Sequence, residues 1–328
     1  MPKLSVMIPV YNVENYLRKC LDSAIYPELG DYEIVIVNDG STDSSGSICD
    51  EYAKRYPKLI RVISTENGGI GKARDIGIDA ARGEYIIFID SDDYLSENAL
   101  PEMMEMLTHD FDMCFFDINS VNEAGRLLKY IPGCSVDGEF TLESFPELLF
   151  EMPSAWNKIY RRSLFTENGI YYPARVWYED MYVTPWLYTR AKKMLSVHKP
   201  WYNYLQRAGS ITNNSNTQRN LEILPAVNAM LDAYRREGLF EKYRPQLEYS
   251  AFYNQVLTSY TRVNLIDMKS AVQDRLYADY LEKFPDYLEN PYIRTMCPKY
   301  KLIHFFIRRG MKRSLHAVMS RNNKIKGK

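Results

Sequence analysis

Over the first 95 residues, short apolar runs alternate with segments in which apolar residues recur every three or four positions. Residues 4–10, 33–37, 61–64 and 84–89 read as strands, because they are short, continuously apolar and rich in β-branched side chains. Between them, residues 13–25, 43–56 and 70–81 read as helices. Leu17, Cys20, Leu21 and Ala24 share one face of the first, and Thr42 or Asp43 is placed to cap the second. Strands without polar alternation, separated by helices, predict an α/β fold with a parallel sheet covered on both faces. Beyond Leu100 the pattern loosens. Residues 112–118 predict another strand and 141–151 a short helix, while 152–215 is mixed and rich in aromatics and arginine. From 218 to 284 the pattern is mainly helical, with Leu221, Ile223, Leu224, Val227 and Met230 at near-helical spacing.

Each of the first four strands is followed by a polar cluster. These are Tyr11-Asn12, then Asn38-Asp39 running to Asp43, then Glu66-Asn67-Gly68-Gly69, then Asp90-Ser91-Asp92-Asp93. In a parallel sheet all four converge at the carboxyl ends of the strands, where open α/β sheets bind ligands. Asp90 and Asp92, spaced by two just after a buried strand, can face one pocket and bind a hard divalent cation, Mg²⁺ or Mn²⁺. An isolated Asp-x-Asp is more often a solvated turn or a helix cap, and Asp93 is placed to cap a helix starting near Ser96.

Composition narrows the alternatives. The 328 residues are 46% hydrophobic and 25% charged, as in a folded globular protein. The five cysteines are scattered, without a CxxC pair, which argues against a disulfide framework or a zinc cluster and fits a reducing cytoplasm. The start of the chain lacks the pattern of a signal peptide, and no apolar run is long enough to predict a membrane span. The four histidines show no ligand spacing. His198, near Trp201, is placed either to orient a site or simply to pack. The 27 tyrosines suit either carbohydrate stacking or half-buried packing.

Four ordered blocks resemble glycosyltransferase family 2, of the GT-A fold. They are Ser5 through Asn12, Val37 through Asp43, Asn67-Gly68-Gly69 with Ala73-Arg74 and Gly77, and Gly83-Glu84-Tyr85 with Asp90 through Asp93. Weaker matches follow at Trp156-Asn157-Lys158, Tyr178-Glu179-Asp180 and Tyr204 through Thr212. The resemblance implies an inverting transfer of a sugar from a nucleotide-diphosphate sugar, with UDP the expected nucleotide, to a glycan or lipid-linked glycan in surface polysaccharide synthesis. It implies that Pro9, Val10 and Tyr11 line a base pocket, that Asp39 accepts from the base and that Glu14 approaches the ribose. Lys72 and Arg74 would lie by the nucleotide, compensating phosphate or fixing Asp39. Asp90 would hold the ribose or a metal-bound water, with Ser91 beside it, and Asp92 would ligate the metal. Asp180 would be the general base, with Glu179 the other candidate. Lys158, Arg207 and Ser210 would meet the diphosphate or acceptor. The sequence departs from the pattern at Asn38, Asp75 and the loop 26–30, and Asp75 leaves the hydrogen bonding around Arg74 open.

On this reading residues 1–215 form the GT-A domain, with a nucleotide-binding half (1–100) and an acceptor-binding half (101–215). Residues 216–298 form a helical region and 299–328 a basic tail. That tail holds ten Lys/Arg and no Asp/Glu, leaving 31 basic against 42 acidic residues elsewhere, a formal −11. Ile303, Phe306, Ile307, Gly310, Met311, Leu315, Val318 and Met319 fall on one helical stripe, flanked by Arg308, Arg309, Lys312 and Arg313. Such a helix suits either peripheral contact with an anionic membrane or docking on the protein itself. Nucleic acid is not expected as a partner, since the body is acidic and has no recognition motif. Two other readings remain: a nucleotidyltransferase, for which the Gly-rich loop after the first strand is missing, and a non-catalytic glycan-assembly subunit, which would not need the acidic set.

Overall fold

A computed structural model describes residues 1–207 and 216–326, with side chains through residue 320. The chain divides into two compact units, Met1–Ser210 and Ile211–Lys328.

The first unit opens β1 (Leu4–Val10), α1 (Leu17–Ser23), β2 (Tyr32–Asp39), α2 (Ser45–Arg55), β3 (Ile60–Thr65), α3 (Ile70–Ala80) and β4 (Tyr85–Phe88). It continues β5 (Tyr94–Leu95), α4 (Ala99–Met106), β6 (Met113–Asn122), β7 (Leu127–Ile131), β8 (Gly138–Phe140), β9 (Lys158–Arg161), α5 (Ser163–Thr166), α6 (Glu179–Arg190) and β10 (Met194–Gln206). One sheet runs in the order β3-β2-β1-β4-β9-β6-β10-β5, with β7 and β8 attached at its margins. β1 pairs in parallel with β2 and β4, β2 with β3, and β6 with β10. β9 is antiparallel to both β4 and β6, so the six strands β1–β4, β6 and β10 all point one way. This is the expected α/β fold with a mostly parallel sheet.

Every residue of β1 is buried, which accounts for its lack of polar alternation. Leu4, Val6, Ile8 and Val10 pack with Leu17, Leu21, Ile34, Ile36 and Ile48 beneath α1 and α2. Three local expectations change. The first helix starts only at Leu17, because Val13–Tyr16 forms a turn in which the Val13 carbonyl accepts from the Tyr16 and Leu17 amides. Residues 141–151 give a 3₁₀ turn, Pro146–Phe150, not an α-helix. Pro146 disfavours helix at the residue before it, and the Thr141 and Ser144 hydroxyls accept each other's backbone amides. Asp93 caps nothing: α4 begins at Ala99, and the buried Asp93 carboxylate accepts from the Tyr202 hydroxyl at 2.8 Å and the Leu205 amide at 2.7 Å.

The second unit is helical: α7 (Ile223–Arg236), α8 (Phe240–Ala251), a π-helical stretch Phe252–Tyr260, α9 (Thr261–Ile266), α10 (Val272–Lys283), α11 (Pro291–Arg294), α12 (Pro298–Arg308) and α13 (Lys312–Lys326). Phe252 anchors its core, with ring centroids 5.4 Å from Tyr280 and 5.0 Å from His304. Ile303, Ile307 and Leu315 are buried, so much of the tail's apolar stripe docks on this unit's own core. Among the described residues no helix is long and apolar enough to cross a membrane.

The start of α3 shows why a glycine is needed where the chain crosses itself. A Cβ on Gly71 would lie 2.2 Å from the Pro173 carbonyl oxygen. Gly71→Ala is therefore expected to lower stability by about 1–3 kcal/mol, read as a lower urea midpoint at unchanged m-value.

Candidate active site

The polar clusters do meet, and side chains bind them to one another. Asn12, held at φ +50°, accepts the Thr42 amide at 2.8 Å and so ties the first cluster to the second. The buried Asp39 carboxylate accepts from the Gly68 amide at 2.6 Å, the Gly69 amide at 2.8 Å and the Asn67 side chain at 3.2 Å. It thereby fixes the third cluster against the second. Tyr11, 49% exposed, stands at the rim of this junction.

Arg74 lies beneath these loops, its side chain 1% exposed. One terminal nitrogen donates to Glu179 at 2.9 Å and Asp180 at 2.7 Å, and the other donates to Asp90 at 3.1 Å. Burial works against its charge, but Asp180, Asp90 and Glu179 together outweigh that cost and keep it firmly protonated. Asp180 is held a second time, by the Ala155 amide at 3.1 Å. Burial and the neighbouring Asp180 both push the Glu179 carboxyl upward, against the pull of Arg74. Burial raises Asp90 to about 6, with Arg74 opposing and Asp92 and Asp180 adding repulsion.

Asp92 pairs with the Arg207 Nε at 2.8 Å, and Arg207 in turn lies 5.0 Å over the Tyr16 ring. Four carboxylates (Asp90, Asp92, Glu179, Asp180) thus face two guanidinium groups. Asp90 and Asp92 are the candidates here to hold a hard divalent cation, although each is paired with an arginine in this structure. Among the described residues no group of three His, Cys, Asp or Glu forms a complete cage. One or two carboxylates completed by water and phosphate oxygens is the usual pattern for Mg²⁺.

Several residues inferred from sequence lie elsewhere. Arg74 reaches Asp90 and the Glu179-Asp180 pair and does not fix Asp39. The Glu14 carboxylate accepts the Ser44 amide at 2.9 Å at the start of α2, where helix amides lack internal acceptors. Pro9, Val10 and Ser91 are buried, leaving backbone as what the first two can offer at the rim. Lys72 is exposed beside Gly68. Lys158 is not available to a diphosphate, because it is fully buried and burial lowers its ammonium to about 7. Its Nζ donates to the Ser154 carbonyl at 2.7 Å, the Met152 carbonyl at 3.2 Å and Asn157 Oδ1 at 2.5 Å. It thus braces the loop that presents the Ala155 amide to Asp180. His198 contacts Asp117 at 3.2 Å and takes no part in the carboxylate cluster. Ser210 lies outside the described residues.

Sequence reasoning missed Tyr202, whose hydroxyl accepts the Asp90 amide at 3.1 Å while donating to Asp93. It also missed the stack of Trp156 between Tyr202 and Tyr204, at 4.7 and 5.2 Å. Asp75 accepts the Tyr172 amide at 2.9 Å, which resolves the open question beside Arg74.

Burial raises the Asp75 carboxyl to about 6, above its unfolded value of about 4. The folded state therefore binds more protons in that window, and Asp75 costs stability as pH rises from about 4 to about 6. Asp75→Asn keeps an acceptor for the Tyr172 amide without the buried charge. It is expected to be more stable than wild type at pH 8, by up to about 3 kcal/mol. The advantage should vanish near pH 4 in thermal melts.

Comparison with known proteins gives a consistent picture. The family model for glycosyl transferase family 2 matches residues 5–169. GlyA of Streptococcus pneumoniae is 35% identical over 221 residues, 64% of this chain and 31% of that glycosyltransferase. EpsH of Bacillus subtilis is 30% identical over 254 residues, 75% of this chain and 73% of that protein. TarS of Staphylococcus aureus, a poly(ribitol-phosphate) β-N-acetylglucosaminyltransferase, is 30% identical over 62% of this chain and 35% of its own length. The match thus spans about a third of GlyA and of TarS. The crystal structure of TarS residues 1–349 with UDP-GlcNAc superposes with a TM-score of 0.56 at 24% identity, covering 90% of this chain and 93% of that one, and shares the GT-A fold. Half of the chain lies within the family model and its fold is that of a solved relative: the chain belongs to glycosyl transferase family 2.

Proposed function

We infer that the chain is an inverting glycosyltransferase that moves a sugar from a UDP-sugar to a hydroxyl of a glycan or lipid-linked glycan in surface polysaccharide synthesis. The observation that carries this reading is Asp180, fixed by Arg74 and the Ala155 amide, in one cluster with Asp90 and Asp92. TarS supports the donor and acceptor classes, since it is a poly(ribitol-phosphate) β-N-acetylglucosaminyltransferase and its structure holds UDP-GlcNAc.

In this reaction the acceptor oxygen bonds to the anomeric carbon as the bond from that carbon to the diphosphate oxygen breaks. Asp180 takes the hydroxyl proton, and the two bonds that fix its carboxylate hold it for that transfer. Tyr11 offers a ring for the base, and the Asn67-Gly68-Gly69 turn, set by Asp39, forms the adjoining wall. Mg²⁺ or Mn²⁺ held by Asp92, with Asp90 behind it, would supply positive charge to the departing diphosphate. Glu179 is the second candidate base, favoured by burial and by Asp180, which raise its proton affinity.

Thermal stabilisation by UDP is expected to be larger with Mn²⁺ than without it, and Asp92→Asn is expected to abolish the difference. Asp180→Asn is expected to lower turnover about 10²–10⁴-fold while UDP stabilisation persists. Wild-type turnover in Asp180→Asn, with loss in Glu179→Gln, would transfer the base role to Glu179. Failure of every UDP-sugar, with or without metal, to release UDP would sink the reading.

A further inference from the structure

α12 has two distinct faces. Ile303, His304 and Ile307 point into the helical unit and are buried. Lys301, Leu302, Phe305, Arg308 and Arg309 follow spacings of three, four and seven, so they share the opposite face. On that face Phe305 is 49% exposed and Leu302 44%, large apolar side chains standing among cations. A cleft of about 180 Å³ opens beside that face, lined by Lys301, Phe305, Arg308 and Arg309 and reaching the buried His304. Met311 (39% exposed) and Arg313 extend the surface onto the start of α13.

The charges on this face are unspent. Lys312 pairs with Asp274 at 2.9 Å. Among the described residues no carboxylate pairs with Lys299, Lys301, Arg308, Arg309 or Arg313. Arg309 lies over the Phe305 ring instead, at 5.9 Å. Ile303, Ile307 and Leu315 of the stripe seen in sequence hold the helices down, while Met311 joins the free surface. It combines protruding apolar groups with clustered cations and has no acid within 299–328.

We propose that this outer face of α12, with the start of α13, is a docking surface for an anionic lipid bilayer. Leu302, Phe305 and Met311 enter the boundary between headgroups and acyl chains. Lys301, Arg308 and Arg309 gather a lipid phosphate at the cleft. Charge complementarity selects this occupant: a run of ten cations without an acid matches a negative leaflet, while the rest of the chain, at a formal −11, is repelled by one.

The test is co-sedimentation of the full chain with vesicles of phosphatidylglycerol and phosphatidylcholine, set against phosphatidylcholine alone. Binding is expected only with phosphatidylglycerol, and is expected to weaken as salt rises. The double variants Leu302→Glu/Phe305→Glu and Arg308→Glu/Arg309→Glu should each lower the partition constant about ten-fold or more. Circular-dichroism melts should match wild type, since all four side chains are exposed. Vesicle binding is read without any sugar donor, so its outcome is separate from that of the transfer assays. Equal binding to both vesicle types, undiminished binding by both variants, or no binding by wild type overturns the proposal. So does a wild-type dimer in sedimentation velocity that Leu302→Glu/Phe305→Glu converts to monomer, because the face would then belong to a second copy.

Discussion

A single buried guanidinium sets the geometry of the carboxylate cluster. Arg74 takes a full positive charge out of water, which is sustainable only with opposite charge and good hydrogen bonds close by. Asp90, Glu179 and Asp180 supply both. Those three carboxylates, without Arg74, would repel one another across the same small volume. The cost of burial and the cost of repulsion offset each other, and the result is a fixed relation between α3, the end of β4 and the start of α6. Asp90 and the candidate base are both placed by that relation.

The same half of the unit is clamped from above by residues far along the chain. The Pro173 carbonyl rests on Gly71, Asp75 accepts the Tyr172 amide, and Arg175 donates to the Asn67 carbonyl. The turn that Asp39 organises is thus closed by a segment about a hundred residues later. Lys158 plays a comparable part from inside, since its ammonium gathers the loop that offers the Ala155 amide to Asp180. Within the cluster Asp180 answers to two partners, Arg74 and the Ala155 amide, while Asp90 and Glu179 are each held by Arg74 and Asp92 by Arg207.

This division explains what was legible in the sequence. The four strands, their polar ends and the Asp90–Asp92 spacing are local patterns, and each appears in the fold within a few residues of where periodicity placed it. The Glu179-Asp180 pair was readable because it is a contiguous block. Tyr202 could not be singled out from 27 tyrosines, because its role rests on strand order: β10 lies beyond β9 and β6 from β4. Asp93 misled for a related reason. An acid near a helix start looks like a cap or a ligand, and only tertiary contacts decide which amides it meets. Lys158 misled because a lysine beside a motif suggests an exposed cation, whereas β9 carries it inward.

The strand order also bears on how the chain is made. β4 is paired on one side by β1, but its other edge is closed only by β9, residues 158–161. A nascent chain that has released its first hundred residues has four parallel strands and an unpaired apolar edge, the kind that invites pairing with another molecule. Synthesis must continue some sixty residues before the sheet can seal itself. For this fold, the interval between the emergence of β4 and that of β9 is when the chain is most exposed to aggregation.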